Sequence, residues 1–393
     1  MTNGSWKGGR GVRARRWLAG LAIGPALAVA LVAAGCGSSD SSDATSTAAS
    51  TAAAGAATAA ADTTTASDAS STFPQLKIPQ GPNSAKGLGK KTVGVVIITQ
   101  ASEVFPQQQR AMKAAFDQLG WEMKLSDLAG DISKVPAAVD NLLQSGVDAI
   151  VLQAVEPGFV GKQVAARAKA KGVPIIGQDT GVPTEQSDGI LTAAIEAPFE
   201  APGKAEGEQM AQELGDGAKV ALIIDKLAAT GRAAQKGVLA GANDRLDIVA
   251  DHQLDYAKLV PDVTDTTQQW LVQHPDLKAI WCPYDGACVG AGQAVQSAGK
   301  DVAIFSMNGT PTAFDLIRQG VDYTTWATPF DYLNWLTTDV LVSVLAKHDV
   351  KPTTETPVFK IDESNVPESG ELSGRLIYGD FEDGFKQRWG ITG

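Results

Sequence analysis

Thiols, imidazoles and paired carboxylates are the groups from which a reactive or ligating centre could be built, and this chain is sparing with the first two. Its 393 residues include three cysteines (Cys36, Cys282, Cys288) and three histidines (His252, His274, His348). The histidines are scattered, and no Cys or His pair has zinc-ligand spacing, so neither a His-based triad nor a metal centre is expected. The sequence has no G-x-S-x-G elbow and no H-E-x-x-H motif. Ser297-Ala298-Gly299-Lys300 fits S-x-x-K but lacks the S-D-N and K-T-G partners, and reads as chance. Carboxylate pairs of the kind a glycosidase uses occur in any acidic chain, so composition alone leaves an enzyme open, with turnover as its test. The expectation is a protein without catalysis, cofactor or metal. Cys282 and Cys288 flank Pro283-Tyr284-Asp285-Gly286-Ala287. An oxidising compartment permits a disulfide there, which would fix Tyr284 and add on the order of 2–3 kcal/mol at best. The alternative is two buried thiols whose geometry forbids the bond.

The remaining cysteine belongs to a different kind of segment. Residues 1–16 are basic and glycine-rich, residues 17–35 are apolar and small, and the run ends Leu31-Val32-Ala33-Ala34-Gly35-Cys36. That order predicts an export signal over residues 1–35. The cysteine after Ala-Gly resembles a bacterial lipobox, which implies cleavage before Cys36 and lipidation of it; Ala33 departs from the usual Leu. The competing reading is a transmembrane anchor, for which the apolar stretch is just long enough. Residues 37–72 are almost wholly Ser, Thr, Ala, Gly and Asp. Such a composition cannot bury a core and predicts a disordered tether over residues 36–72.

The formal net charge is −11, and residues 1–35 contribute five basic and no acidic side chains. The remainder is therefore more acidic still and would be repelled by polyphosphate, which argues against nucleic-acid binding. With 44% hydrophobic residues the chain can bury a large core, and its length allows two domains.

From Lys91 the pattern becomes that of a folded body. Thr92-Val93-Gly94-Val95-Val96-Ile97-Ile98 is a continuous apolar run, as in a strand buried on both faces. Met112, Ala115, Phe116 and Leu119 then recur at helical spacing over residues 107–119, with Gly120 just past the end. Further strands are predicted at 122–126, 149–153 and 173–179, with helices at 131–145 and 159–171. A second stretch repeats the plan. Its strands fall at 219–225, 248–254, 279–283, 302–307 and 323–327. Its helices fall at 204–214, 232–243, 261–272, 287–298, 311–318 and 332–347. Strand–helix alternation with short connections predicts two doubly wound α/β lobes with parallel sheets, which bind ligands beyond the C-terminal strand ends. Residues 375–379 read as a strand and 385–389 as a short helix.

Four motifs in order carry a family resemblance. Gln100-Ala101-Ser102-Glu103-Val104-Phe105 stands where one family has an Asn-Asn-Pro-Phe-Phe-type loop. Val173-Pro174-Ile175-Ile176-Gly177-Gln178-Asp179 resembles its I-P-V-I-x-x-D. His274-Pro275-Asp276-Leu277-Lys278-Ala279-Ile280, with Asp285 and Gly290-Ala291, resembles its H-P-D motif and the N-D-x-x-A-x-G-A that follows. Phe305-Ser306-Met307-Asn308-Gly309-Thr310-Pro311 resembles G-F-D-G-T-P. Residues 91 to about 365 thus resemble the type I periplasmic binding proteins of ABC importers, in the ribose and sugar-binding branch. LacI-type repressors share this fold but carry a helix-turn-helix where this chain has a signal and tether. The resemblance implies an N-terminal lobe of residues 91–196 plus 329–357 and a C-terminal lobe of 197–328 plus 358–393. A three-strand hinge would cross near 196–197, 328–329 and 358–361, so that closure traps the ligand.

The resemblance also implies a site. Phe105 matches the aromatic that stacks on a sugar, with a core Phe as the structural alternative. Asp179 matches the aspartate that accepts from sugar hydroxyls, with a turn cap as the alternative. Ser102 stands at a position that is often Asn, Asn308 at a second aspartate and Thr328 at a frequent Gln. Tyr284 replaces an Asn, Thr180 an Arg, and Pro198-Phe199 a polar pair beside the first crossing. Ala234 falls near another family Arg, where Arg232 and Gln235 could substitute; these two, Tyr256 and Trp326 complete the set. Trp281, Phe330, Tyr332 and Trp335 read mainly as packing residues. Arginines and amides give way to Thr, Tyr, Phe and Pro, so the expected ligand is neutral: a sugar or polyol first, an aromatic or other cyclic catabolite second. The expected partners are that solute, the transmembrane subunits of an ABC permease and the membrane through the lipid anchor. The protein is expected to be extracytoplasmic and monomeric; a sensor presenting ligand to a signalling receptor is the alternative.

Overall fold

The computed structural model describes residues 73–391. The expected signal over residues 1–35, the lipidated Cys36 and the tether through residue 72 lie outside the described residues. Among those described, no helix is long and apolar enough to cross a membrane.

The first lobe is built on β1 (Thr92–Ile97), β2 (Glu122–Asp127), β3 (Ala149–Gln153), β4 (Ile175–Gln178), β5 (Ala193–Glu196) and β11 (Thr353–Glu355). Their order is β2-β1-β3-β4-β5-β11, and all neighbours are parallel. The second lobe has β6 (Ala218–Ile224), β7 (Leu246–Gln253), β8 (Ala279–Trp281), β9 (Ala303–Asn308), β10 (Tyr323–Ala327) and β12 (Phe359–Ile361). Its order is β7-β6-β8-β9-β10-β12, parallel except for β12 against β10. The uninterrupted apolar runs are the inner strands: all of β3 and Val93 to Ile97 of β1 are buried. The edge strand β2 keeps its charged residues Glu122, Lys124 and Asp127 exposed.

Helices α1 (Val104–Leu119), α2 (Val135–Gln144) and α3 (Lys162–Lys171) belong to the first sheet. Helices α4 (Glu200–Leu214), α5 (Ala229–Ala242), α6 (Leu259–Gln273), α7 (Asp285–Ala298) and α8 (Pro311–Arg318) belong to the second. Helix α9 (Phe330–Ala346) returns to pack on α1 and β5. Helices α4 and α5 meet through Gly203, Gly207, Gly237 and Gly241, where any Cβ would collide with the partner backbone. Small residues there let two helices approach more closely than side chains permit.

The chain crosses between lobes three times: β5 to α4, β10 to α9, and β11 to β12. The first and third crossings are joined by Thr356 N–H donating to the Glu196 carbonyl at 3.0 Å. The third falls slightly before residues 358–361, because 359–361 are already paired with β10.

The tail departs from expectation twice. Residues 375–378 lie in a helix, α10 (Gly374–Tyr378), capped by Ser373 and ended by Gly379, rather than in a strand. Short apolar runs do not distinguish the two by periodicity. Helices α10 and α11 (Phe381–Trp389) pack on α9 of the first lobe rather than on the second lobe. Aromatic packing is the cause: Tyr332 stacks on Tyr378 at 3.7 Å and Trp335 on Trp389 at 5.4 Å. Buried Asp339 then accepts from Asn83 Nδ2 at 2.8 Å, Trp389 Nε1 at 2.9 Å and Arg388 Nη2 at 2.9 Å. Chain entry and chain exit are thereby fastened to one helix.

Candidate ligand-binding site

A cavity of about 60 Å³ lies where the C-terminal strand ends of both lobes face each other. Three residues at those ends hold a left-handed backbone although none is glycine: Ala154 after β3 (φ 56°), Asp179 after β4 (φ 51°) and Asn308 closing β9 (φ 105°). All three line the cavity. Such conformations cost on the order of 1–3 kcal/mol each and persist only where surrounding structure imposes them. Asp and Asn tolerate them best, which partly explains their placement.

The first lobe contributes Ser102 from the loop before α1 and Phe105 and Gln108 from its start, together with Asp179. Asp179 is buried; its Oδ1 accepts the Ala197 N–H at 2.8 Å, and its second oxygen has no partner among the described residues. Burial pushes its carboxyl up to about 7, opposed by that N–H. Glu196, at the end of β5, is raised to about 8 by burial and then by the charge of Asp179. Thr180 donates its hydroxyl to Glu196 Oε1 at 2.7 Å, and the Gly181 N–H reaches Oε2 at 2.9 Å.

The second lobe contributes Thr230, Tyr256, Tyr284 and Asn308. Both tyrosine hydroxyls donate to Asp225 Oδ2, Tyr284 at 2.6 Å. Oδ1 of this fully buried carboxylate takes the Leu227 and Ala228 N–H groups at 2.9 and 3.3 Å. Burial, with the nearby Asp225 charge, raises both phenols well above their usual range. The Cys282 and Cys288 sulfurs are bonded, with Cα atoms 5.6 Å apart. The bridge clasps the turn that carries Tyr284 and Asp285.

The lobes are closed on each other. Glu103 accepts from the Thr312 N–H at 3.2 Å and its hydroxyl at 2.9 Å, and Arg232 pairs with Glu156 at 2.9 Å. Gly286 lies so close to Ser102 that a Cβ would strike its hydroxyl, and Gly181 lies equally close to Ala229 and Thr230.

Of the residues expected from sequence, Ser102, Phe105, Asp179, Phe199, Tyr256, Tyr284 and Asn308 line this cavity. Thr180, Thr328, Arg232, Gln235 and Trp326 do not. Thr180 turns to Glu196, to which its hydroxyl donates, because the left-handed backbone of Asp179 has already ended the strand. Thr328 is buried in the hinge, its N–H on the Asn308 carbonyl at 3.0 Å. Arg232 is spent at the rim on Glu156. Gln235 is half-buried on α5, and half-buried Trp326 packs against the second lobe's core. Sequence reasoning missed Gln108, Thr230 and the supporting Asp225. Gln108 had a signal, being three residues after Phe105 on the same helix face; the helix was expected to begin a turn later than it does.

A two-lobed cleft of this kind defines a solute-binding architecture. Residues 93–349 match the periplasmic binding protein domain family, and the chain belongs to that family. The ribose import binding protein RbsB of Bacillus subtilis is 26% identical over 290 residues, covering 72% of this chain and 92% of that protein. The xylitol-binding protein of Mycolicibacterium smegmatis is 24% identical over 236 residues, 58% of this chain and 65% of its own. An ABC transporter solute-binding protein of Mycobacterium smegmatis, solved with bound glycerol, superposes with a TM-score of 0.64 at 26% identity. That match covers 72% of this chain and 99% of the other.

Proposed function

We propose that this protein is the extracytoplasmic, lipid-anchored receptor of an ABC importer, and that it delivers a small neutral sugar or polyol to the permease. The observation carrying this reading is the closed cleft: among the described residues no Lys or Arg lines its cavity, while Asp179 and Gln108 line it together with aromatic rings. Guanidinium and ammonium groups are what an anionic solute would need. An aromatic edge with a few fixed polar groups suits a ring or chain bearing hydroxyls. Relatives named for ribose and xylitol, and a similar structure holding glycerol, support the same class. The Ala34-Gly35-Cys36 run supports cleavage before Cys36 and acylation of its thiol and amine.

Thermal unfolding with pentoses, hexoses, acyclic polyols and small aromatic alcohols tests the ligand class. A compound that binds only the native state raises the midpoint by mass action. A rise with a sugar or polyol supports the reading; a rise only with an aromatic or other cyclic compound replaces it. Metabolic labelling with a fatty acid, lost on Cys36→Ser, tests the anchor.

A further inference from the structure

Four buried amides stand behind the first lobe's wall, and their polarity is set from one end. Gln108, Gln153, Gln178 and Asn334 are each at most 2% exposed. Asn334 Nδ2 donates to the Phe330 carbonyl at 2.8 Å. A backbone carbonyl only accepts, so this amide cannot be reversed. Asn334 Oδ1 must then accept, and it does so from Gln178 Nε2 at 3.0 Å. Gln178 Oε1 accepts from Gln153 Nε2 at 2.7 Å. Gln153 Nε2 also donates to Gln108 Oε1 at 3.1 Å, and Asn334 Nδ2 reaches the same oxygen at 3.4 Å. The Gln108 oxygen is therefore filled, while its NH₂ group has no partner among the described residues. Turning Gln108 over would set its N–H groups against two donors. Gln108 lines the cavity.

We propose that Gln108 is a specificity-determining ligand contact, a hydrogen-bond donor locked toward the cavity that selects a solute presenting an acceptor oxygen. The solute class rests on the reading above; the donor role of Gln108 does not. On the opposite wall Tyr256 and Tyr284 donate their hydroxyls to Asp225 and offer mainly ring surface, with Asn308 beside them as a polar group. The favoured solute has an oxygen-bearing edge toward Gln108 and Asp179 and a C–H face toward the tyrosines.

The purified protein is titrated by calorimetry with xylitol, ribose, glycerol, L-rhamnose and L-fucose, alongside its Gln108→Met and Gln108→Glu variants. Binding of the tightest probe should weaken about 10-fold in Gln108→Met, the worth of one hydrogen bond. It should weaken further in Gln108→Glu, which replaces the donor with an acceptor. Affinity within twofold of the parent in both folded variants overturns the proposal. If the parent binds none of these probes but binds another compound, the class reading fails and the same variants are tested with that compound. One readout needs no ligand or variant: nuclear Overhauser contacts of the Gln108 side-chain amide protons. They should run to ring protons lining the cavity; the lack of any such contact overturns the proposal.

Discussion

The two walls of the cleft come from lobes of one architecture, yet they dispose of their carboxylates in opposite ways. In the second lobe Asp285 accepts the Gly309 and Thr310 N–H groups at 2.7 and 2.8 Å, the Tyr323 hydroxyl at 2.9 Å and the Thr325 hydroxyl at 3.1 Å, besides Ser306. Asp225 is equally engaged by two tyrosines and two backbone N–H groups. Both carboxylates hold the wall in shape. In the first lobe Asp179 receives one backbone N–H and has an oxygen without a protein partner among the described residues. Gln108 likewise keeps its donors unspent. The second wall's carboxylates thus serve its shape while the first wall's is left for the solute, although both walls are built from the same strand ends and Asn308 adds a polar group to the second.

The largest test of that contrast is Asp179→Ala. The carboxyl that bonds the solute's hydroxyls is lost while the fold keeps its strand, and affinity for a bound polyol should fall about 100-fold by calorimetry. A loss as large from a change confined to the second wall would break the comparison.

The next effect is on stability and its pH dependence. The Asp179 carboxyl is raised to about 7 in the folded protein, against about 3.9 in an unfolded chain. The native state thus binds more protons than the unfolded one between those values, so this group makes stability fall as pH rises from 4 to 7. Glu196, raised to about 8, extends the fall upward. Asp179→Asn should be more stable than the parent at pH 8, by on the order of 2 kcal/mol, with the advantage gone near pH 4. Denaturant unfolding of both proteins across that range measures the difference; equal slopes would mean that Asp179 is ionised in the closed cleft.

Tyr284→Phe probes the second wall. It removes one of four donors to Asp225 and no bond to the solute, so stability should drop by about 1 kcal/mol and affinity should stay within about threefold. Strong loss of binding with unchanged stability would mean that the Tyr284 hydroxyl turns to the ligand.

The sequence disclosed the strand ends better than it disclosed what stands behind them. The run at residues 173–179 was readable as a cleft strand ending in Asp179, and the apolar runs of β1 and β3 announced buried parallel strands. Gln107-Gln108-Gln109 looks like a solvated helix face, and only the sheet and α9 bring Gln153, Gln178 and Asn334 to it from as far as 226 positions away. Asp225 was invisible for the same reason, since its partners Tyr256 and Tyr284 arrive from other strand ends. Strands β5, β11 and β12 are three or four residues long, too short for a periodic signal. Thr180 and Thr328 lie away from the cavity because a matched position fixes a backbone site and leaves open where the side chain beyond a strand end turns.

The smallest expected effect lies at the rim, where the walls meet without the solute. Arg232 is about half exposed and its partner Glu156 less so, and they pair at 2.9 Å. Ion pairs of this kind contribute roughly 0.2–1 kcal/mol and weaken with salt. The pair forms between lobes, so what it stabilises is closure, and Arg232→Ala should favour the open form. Affinity should then fall by about threefold at most, through faster release, and the deficit should shrink as ionic strength rises. Stopped-flow release rates at low and high salt measure it. A deficit that grew with salt, or a change in which sugars bind, would place Arg232 in ligand recognition and make the second wall a polar partner of the first.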